Sequence, residues 1–225
     1  MSAPERLVLV DAGSVYHPAY HVLSGFATLD DFPTGAFFGF TRAVLKLLAE
    51  DPSQRVAVTV DTGAPTHRHE AYAGYKADRP SLPDDLRVQI PVIEEVVDAL
   101  GLPRFAQDGF EADDLMATLA HQARQAGVEA CILTGDKDMM QLVDEAVVVL
   151  KPSRQPGQAF ERFDGERVKD YLGVHPHQVA DFLALVGDTS DQIPGVPSVG
   201  KVTAQKLLAE FGSLDALLAR ADEVA

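Results

Sequence analysis

The chain has 225 residues, 46% of them hydrophobic, which is enough for one substantial core with a small appended module. Its apolar runs are far shorter than the ~20 residues of a membrane span, and no basic-then-apolar leader opens it. The formal net charge of −15 is unlike the basic balance of most nucleic-acid binders, although acids that bind cations would account for part of it. We therefore expect a soluble, cytoplasmic protein with no membrane contact, in which the single Cys131 belongs to the core.

Predicted strands and helices alternate in the first part of the chain. Apolar runs predict strands at residues 6–11 and 55–61, and an i, i+3, i+4 pattern predicts a helix at 33–50. Residues 12–20 are interpreted as a turn whose glycine and serine would let a phosphate approach the backbone. A short glycine-containing loop is a weak signal when taken alone.

Residues 62–83 connect the second strand to a predicted helix at 84–100, in which Pro91 marks an irregularity. The connection is too long for an ordinary loop and has no apolar period, which indicates a functional or mobile segment. Basic and aromatic residues interleave in it, as expected where phosphates are bound and bases are stacked; the alternative is a solvated loop. The cationic group, which extends into the next helix, consists of His67, Arg68, His69, Lys76, Arg79 and Arg87.

The stretch 109–141 carries five acids around one predicted strand at 129–134. Three of them stand where a helix begins, and two follow the strand. Acids in a first helical turn are common because they favour the positive end of the helix dipole, so the first group alone has an ordinary structural explanation. The acids are Glu111, Asp113, Asp114, Asp136 and Asp138.

Two other predicted strands also end on an aspartate, Asp11 and Asp61. The carboxyl ends of parallel strands border the ligand crevice of an α/β sheet, so we expect all these acids to converge. At about 5 Å and an effective dielectric near 20, two carboxylates repel by roughly 3 kcal/mol. Bound cations must relieve this repulsion, and a pair of hard divalent ions such as Mg²⁺ or Mn²⁺ suits carboxylate oxygens.

The remaining elements complete an α/β pattern with a central, mostly parallel sheet flanked by helices. We expect a core at residues 1–163 and a helical region at 164–225. The further predicted elements are strands at 104–106 and 146–150, a small hairpin at 157–164, and helices at 176–186 and 201–211.

The loop between the last two predicted helices combines acids with glycine and proline. Asp188 and Asp191 lie at its start. The segment 193–200 precedes a helix in the manner of a helix-hairpin-helix, whose exposed backbone N–H groups would bind a phosphate. Glycine- and proline-containing loops often precede helices, so this motif is not specific by itself.

Taken in order, these motifs closely resemble the 5′ nuclease domain of bacterial DNA polymerase I and its flap endonuclease relatives. The resemblance spans nearly the whole chain, and ordered acidic motifs at matching spacings make it specific. The motifs are LeuValAsp at 9–11, ValAsp at 60–61, ArgHisGlu at 68–70, TyrLysAlaAspArgPro at 75–80, ProAspAspLeuArg at 83–87, GluAlaAspAsp at 111–114, ThrGlyAspLysAspMetMetGlnLeu at 134–142 and GlyAspThrSerAspGlnIleProGlyVal at 187–196.

The resemblance implies a fold and an activity. It implies a PIN-like nuclease core with a helical arch at about 62–90 and a C-terminal helix-hairpin-helix. The activity would be structure-specific, metal-dependent 5′-3′ exonuclease and flap endonuclease cleavage of DNA by a two-metal mechanism, in replication and repair. The partners would be DNA with a 5′ flap or a 5′ end at a duplex junction and a separate DNA polymerase, and the protein would be a nucleoid-associated monomer.

The resemblance also implies a role for each acid. Two Mg²⁺ or Mn²⁺ ions would share eight carboxylates, some of them through water, and Asp114 would lie in an outer position. Asp11, Asp61, Glu111 and Asp113 would surround the first ion, and Asp136, Asp138, Asp188 and Asp191 the second.

The implied DNA contacts lie in the arch and the hairpin. Lys76 would reach the scissile phosphate, Arg68 and Arg79 would steer the backbone, and Tyr75 would stack on the base beside the cut. The hairpin at 193–208 would hold the duplex, with a K⁺ ion between its carbonyls and a phosphate. Its contact residues would include Gly195, Val196, Ser198, Gly200, Lys201 and Thr203.

The chain departs from the family pattern at three places. HisProAla at 17–19 replaces a usual TyrArgAla, which removes an arginine near the active site. In the hairpin, Ser198 replaces a glycine, and Lys201-Val202 stands where a charged residue followed by lysine is typical. The chain ends at Ala225 without a polymerase domain, so we expect a stand-alone nuclease or a fragment of a longer protein.

Two other functions are considered. A non-catalytic DNA-junction-binding module would explain the lost arginine, but not the retention of so costly a group of acids. A small-molecule phosphohydrolase with an aspartyl nucleophile is disfavoured, since its chemistry wants a second aspartate where Gly13 stands.

Overall fold

A six-stranded sheet organises the molecule. The computed structural model describes residues 5–50, 55–153 and 158–223. The strand order is β3-β2-β1-β4-β5-β6, with parallel pairs up to β5 and an antiparallel last pair. From β1 the chain adds β2 and β3 on one side, and it then crosses to β4 on the other side of β1. The order of the strands therefore reverses between β1 and β4, which is the switch point of the sheet. The strands are β1 (Arg6–Asp11), β2 (Arg55–Thr59), β3 (Arg104–Phe105), β4 (Glu129–Leu133), β5 (Val147–Pro152) and β6 (Phe160–Phe163).

Helices cover both faces of the sheet. Short 3-10 turns at 138–142, 176–178 and 221–223 and a two-stranded ribbon, β7 (Gly187–Asp188) with β8 (Ile193–Pro194), complete the described part. None of the helices among the described residues is long and apolar enough to cross a membrane. The helices are α1 (Ala12–Val22), α2 (Gly35–Glu50), α3 (His67–Ala71), α4 (Asp84–Arg87), α5 (Ile90–Ala99), α6 (Ala112–Gln125), α7 (Gly165–Leu172), α8 (Val179–Val186), α9 (Lys201–Phe211) and α10 (Leu214–Ala219).

The central strands supply two cores because their side chains alternate between the faces of the sheet. On β1, Leu9 faces a core that also contains residues of α6 to α10, whereas Val8 and Val10 face a core built with α1, α2 and α5. Cys131 is buried in the second core, as expected. The helices after position 163 share the first core with β4 and β5, and the domain boundary at 163/164 stays a prediction.

The interpretation of residues 12–20 as a turn is wrong, because this segment is helix α1. Asp11 caps the helix: its side chain accepts a hydrogen bond from the backbone N–H of Ser14 at 3.1 Å. Gly13, Ser14 and Pro18 are residue types that disfavour the interior of a helix. Gly13 and Ser14, however, lie in the first turn of α1, where backbone N–H groups have no acceptor within the helix. Asp11 therefore both ends β1 and caps α1.

The helix predicted at 84–100 is broken into α4 and α5 at Val88 and Gln89. Pro91 lies in the first turn of α5, where a missing N–H costs little. Gln89 is fully buried, and its Oε1 accepts hydrogen bonds from the N–H groups of Ala36 at 2.8 Å and Phe37 at 3.2 Å. The break thus places a side chain that caps the start of α2.

Smaller differences concern chain ends and pairings. Part of the predicted hairpin at 157–164 forms β6, and this strand pairs with β5. Residues 154–157, which connect the two strands, lie outside the described part. The segment 62–83, predicted without regular structure, contains α3. Helix α10 was not predicted. Residues 1–4 and 224–225 of the predicted domains also lie outside the described residues.

Replacing Gln89 by leucine should destabilise the fold. The side-chain volume is similar, but two buried N–H groups of α2 lose their acceptor, which should cost about 2–4 kcal/mol in the free energy of unfolding. Urea unfolding followed by circular dichroism measures it. Gln122→Leu on the exposed face of α6 is the control, and a Gln89→Leu variant as stable as that control would contradict the capping role.

Candidate active site

The predicted acids converge at the carboxyl ends of the parallel strands. Asp11 ends β1, and Asp61 and Asp136 follow β2 and β4, so the last two flank β1 in the sheet. Helix α6 begins at the same edge, because Asp61 Oδ1 accepts the backbone N–H of Ala112 at 2.7 Å. This contact brings Glu111 and Asp113, one residue to either side, against the strand ends.

Asp113 lies at the centre of the first group of carboxylates. Burial raises its pKa, and so do the charges of Asp11, Asp136, Asp61 and Glu111, to about 8. Burial is also the main reason that the pKa of Asp11 is raised, against hydrogen bonds from Ser14 and Thr134 that lower it. The carboxylates are therefore close enough to resist ionisation together.

Asp138 lies at the centre of the second group. Its Oδ1 is buried and has no hydrogen-bond partner. Burial and the charge of Asp136 raise the pKa of Asp138 to about 7, and Asp188 and Asp191 act in the same direction. The charge of Asp136 raises the pKa of both Asp113 and Asp138, so it is within electrostatic reach of both groups.

Lysine side chains neutralise the rim of the second group. Lys137 Nζ donates to Asp188 Oδ2 at 2.7 Å, and Ser190 donates to Oδ1 through its N–H at 2.8 Å and through its hydroxyl. Burial alone would raise the pKa of Asp188, but the hydrogen bonds from Lys137 and Ser190 lower it to about 2. Asp188 is therefore ionised at pH values at which Asp113 and Asp138 are still protonated.

The segment 62–83, which belongs to the expected arch and is called the arch below, contacts Glu111 and Asp191 through Tyr75 and Lys76. Lys76 Nζ lies 3.1 Å from both carboxylate oxygens of Glu111 and 3.8 Å from Asp191 Oδ2. The Tyr75 hydroxyl donates to Glu111 at 2.9 Å and lies 3.2 Å from Asp191 Oδ2. The Lys76 N–H also donates to the Asp191 carbonyl at 3.1 Å. The arch is thus bound to the acids and to the loop after α8.

Arg68 pairs with Asp114 and also lies 3.9 Å from Glu111 Oε2. The guanidinium donates to both Asp114 oxygens, at 2.7 and 2.8 Å, and the Glu111 N–H donates to Asp114 at 3.0 Å. The hydrogen bond from Arg68 is the main reason that the pKa of Asp114 is lowered. Arg68 thus engages both Asp114 oxygens, and the outer position expected for Asp114 stays a prediction.

The acids open onto a cavity of about 500 Å³ between the arch, α6, α8 and the loop before α9. The exposed ring of Tyr72 faces this cavity, whereas Tyr75 is 6% exposed. The lining residues include Arg68, Tyr72, Glu111, Asp113, Asp138, Leu183, Asp188 and Ile193.

The donor set fits hard divalent ions, although the liganding geometry is not formed. Within the described ranges, no three acidic, imidazole or thiol groups are arranged to hold a metal ion. Lysines hold Glu111, Asp188 and Asp191 in ion pairs. The inner donors are nevertheless all carboxylate oxygens, and the unpartnered Asp138 Oδ1 is what an absent cation would leave.

The expected DNA contacts are placed in different ways. In this conformation Tyr75 cannot stack on a base, because its ring is buried with His69 at 5.2 Å and its hydroxyl is bound to acids. Arg79 is exposed. In the hairpin, Lys201 and Thr203 are exposed at the start of α9, and Ser198 adopts a φ of 68°, the left-handed region that favours glycine. The K⁺ ion expected there stays a prediction.

Sequence reasoning missed four residues of the site: Ser14, Tyr72, Thr134 and Lys137. Thr134 and Lys137 belong to the motif at 134–142, in which only the aspartates were assigned a role. Their signal was polarity directly after a buried strand. Ser14 was assigned to a phosphate-binding turn that does not exist, and Tyr72 had no signal beyond its aromatic ring.

Residues 6–173 match the 5′-3′ exonuclease N-terminal resolvase-like domain, and residues 174–225 match the 5′-3′ exonuclease C-terminal SAM fold. The chain belongs to the 5′-3′ exonuclease family. The expected enzyme class, a nuclease, is thereby confirmed.

The thermostable DNA polymerase I of Thermus aquaticus is 43% identical over 222 residues, which are 97% of this chain and 26% of that protein. DNA polymerase I of Mycobacterium leprae is 42% identical over 97% of this chain and 24% of its own length. The nuclease chain thus spans about a quarter of these relatives.

Solved structures share the fold of the nuclease. The T5 5′-exonuclease with bound zinc ions has a TM-score of 0.78 at 18% identity, over 96% of this chain and 79% of that one. The catalytic core of Rad2 in complex with DNA substrate has a TM-score of 0.64 at 21% identity, over 100% of this chain and 68% of that one. The expected α/β architecture is confirmed.

Asp113→Asn should stabilise the metal-free nuclease at alkaline pH. The folded-state pKa of Asp113 is raised from 3.8 to about 8, so ionisation costs the native state stability as the pH rises through this window. In EDTA at pH 8 we expect a Tm several degrees above that of the parent, at about 2–4 °C per kcal/mol, with a smaller gap at pH 5.

Excess Mg²⁺ should reverse this order, because a bound ion stabilises only the ionised carboxylate. Asp108→Asn, an exposed acid near α6, is the control. A Tm for Asp113→Asn that is equal to the parent in EDTA at every pH would contradict the crowding of charges.

Proposed function

We propose that this chain is a structure-specific, divalent-metal-dependent 5′-3′ exonuclease and flap endonuclease that hydrolyses DNA phosphodiesters. The observation that carries the proposal is the convergence of acids from three strand ends, the start of α6 and the loop after α8, around two carboxylates with raised pKa values, Asp113 and Asp138. Family membership supports the reaction class.

Two sets of carboxylates would hold two ions, Mg²⁺ or Mn²⁺. Divalent ions supply an activated water and neutralise charge on the phosphate during in-line displacement. No protein nucleophile is needed, and Asp113 and Asp138 bind as carboxylates after losing their protons. The first set is Asp11, Asp61, Glu111 and Asp113, and the second is Asp136, Asp138, Asp188 and Asp191, some acting through water.

Lys76 would serve the reacting phosphate. Its ammonium lies 3.1 Å from both Glu111 oxygens, at the rim of the acids that would hold the ions. There it would stabilise the negative charge that grows on the phosphate oxygens. The contacts of Lys76 and Tyr75 with the acids therefore hold the arch in place before substrate and ions arrive.

The substrate is DNA with a 5′ flap or a 5′ end at a duplex junction. The 500 Å³ cavity beside the acids is large enough for a nucleotide, and Tyr72 offers the ring that Tyr75 does not. The exposed start of α9 would hold the duplex through backbone N–H groups, Lys201 and Thr203. A protein that binds a duplex at one place and a single strand at another selects its substrate by DNA structure and not by base sequence.

A separate DNA polymerase is the proposed partner in replication and repair. The curated relatives are DNA polymerases I, in which the matched region is about a quarter of the protein. A nuclease that removes a 5′ strand produces a nick that a polymerase must reach, so the two activities act on the same junction.

Cleavage of a 5′-labelled flap substrate in Mg²⁺ tests the proposal directly. The parent should cut near the junction and lose activity in EDTA. Asp136→Ala should reduce kcat by several orders of magnitude, because Asp136 follows β4 and its charge acts on both Asp113 and Asp138. Flap binding, followed by fluorescence anisotropy, should stay within a few-fold. Asp108→Ala is the control. Cleavage that persists in EDTA, or a fully active Asp136→Ala, would falsify the assignment.

Lys76→Ala should lower kcat by roughly 10²–10³-fold, as expected for one electrostatic stabiliser, with little change in flap affinity. Single-turnover cleavage separates this effect from product release. Lys46→Ala on the exposed face of α2 removes an equal charge at a distance and should keep the parental rate. If Lys76 is only structural, its loss should instead weaken binding or thermal stability and leave the single-turnover rate unchanged.

A further inference from the structure

Thr134 joins the two groups of acids. It follows β4 directly, is fully buried, and its N–H donates to the Leu150 carbonyl of β5 at 3.0 Å. Its hydroxyl lies 2.9 Å from Asp11 Oδ2 and 2.9 Å from Ser14 Oγ, and it accepts the N–H of Asp136 at 3.0 Å. Asp11 belongs to the first group and Asp136 to the border of the second, so one hydroxyl contacts both.

All hydrogen-bonding capacity of this hydroxyl is used. A carboxylate only accepts, so Thr134 Oγ1 donates its single proton to ionised Asp11. Its two lone pairs then accept from the Asp136 N–H and the Ser14 hydroxyl. A fully satisfied buried network has one low-energy arrangement, because any displacement leaves a polar group unpaired.

The geometry continues into the second group. Asp136 Oδ1 accepts the N–H of Asp138 at 2.8 Å, which fixes the turn that carries the buried, unpartnered Asp138 Oδ1. Movement of Thr134 would therefore shift Asp136 and Asp138 relative to Asp11. In a two-ion site, ions ≈ 3.5–4 Å apart depend on that relative position.

We propose that Thr134 is a positioning residue that sets the spacing between the two groups of carboxylates and so the joint binding of two divalent ions. This inference rests on the proposed function. Thr134 touches no reacting atom; it acts through Asp11 and Asp136. Ser14 assists by occupying the remaining lone pair.

Thr134→Val removes the hydroxyl and keeps the shape, and Thr134→Ser restores the hydroxyl. Calorimetric titration with Mn²⁺, without DNA, should show a roughly 10–100-fold weaker affinity for Thr134→Val, the usual cost of losing an outer hydrogen bond to a ligand. Thr134→Ser should stay within about threefold of the parent, since serine has the same donor and acceptors. The Mg²⁺ concentration for half-maximal flap cleavage should shift in parallel.

Thr59 offers a matched control. It is equally buried and ends β2 beside β1, and its hydroxyl donates to the backbone carbonyl of Val10 at 3.3 Å rather than to a carboxylate. Thr59→Val should lose stability but bind Mn²⁺ like the parent. Should Thr134→Val fail to fold, Thr134→Cys takes its place, since a thiol packs as a small apolar group and donates weakly.

The outcomes separate this inference from the proposed function. If the parent itself takes up no divalent ion, the proposed function fails, and the role of Thr134 fails with it. If the parent binds Mn²⁺ and Thr134→Val binds it equally well, or if Thr59→Val is weakened as much, only the positioning role is overturned. A selective loss that serine rescues supports it.

Discussion

Mutual repulsion of carboxylates at the switch point of the sheet governs the structure of this site. Strand pairing brings Asp11, Asp61 and Asp136 together, and the two cores stabilise this arrangement. Burial, and then the charges of these acids, raise the pKa of Asp113, so folding assembles carboxylates that resist ionisation. In the proposed function, bound cations would offset this repulsion.

Three cations of the chain already balance part of this charge. Lys76, Lys137 and Arg68 contact acids of the rim, whereas the inner Asp113 and Asp138 have raised pKa values. These positive charges of the chain are thus placed at the acids of the rim. Because Lys76 belongs to the arch, the neutral rim also positions the segment expected to contact substrate.

The sequence predicted the sheet, the acids and their convergence, because buried strands and the aspartates that end them are local signals. It did not predict α1, since the Asp11 cap that starts this helix is a residue already assigned to another role. It also missed the burial of Tyr75, which depends on Glu111 and on Asp191, 116 residues away. Such contacts follow from the tertiary arrangement, and no local pattern encodes them.

The lost arginine at position 18 illustrates the same limit. In sequence, Pro18 only removes a charge, and it sits within α1, one residue after His17. In space, Arg79 contributes to lowering the pKa of His17, after burial, and partly offsets the rise in the pKa of Tyr16 that burial and Asp61 cause. The guanidinium of Arg79 is therefore within electrostatic reach of α1, the helix that contains Pro18. A cationic contribution to a phosphate site depends on where the charge stands, and a residue from another segment can supply it.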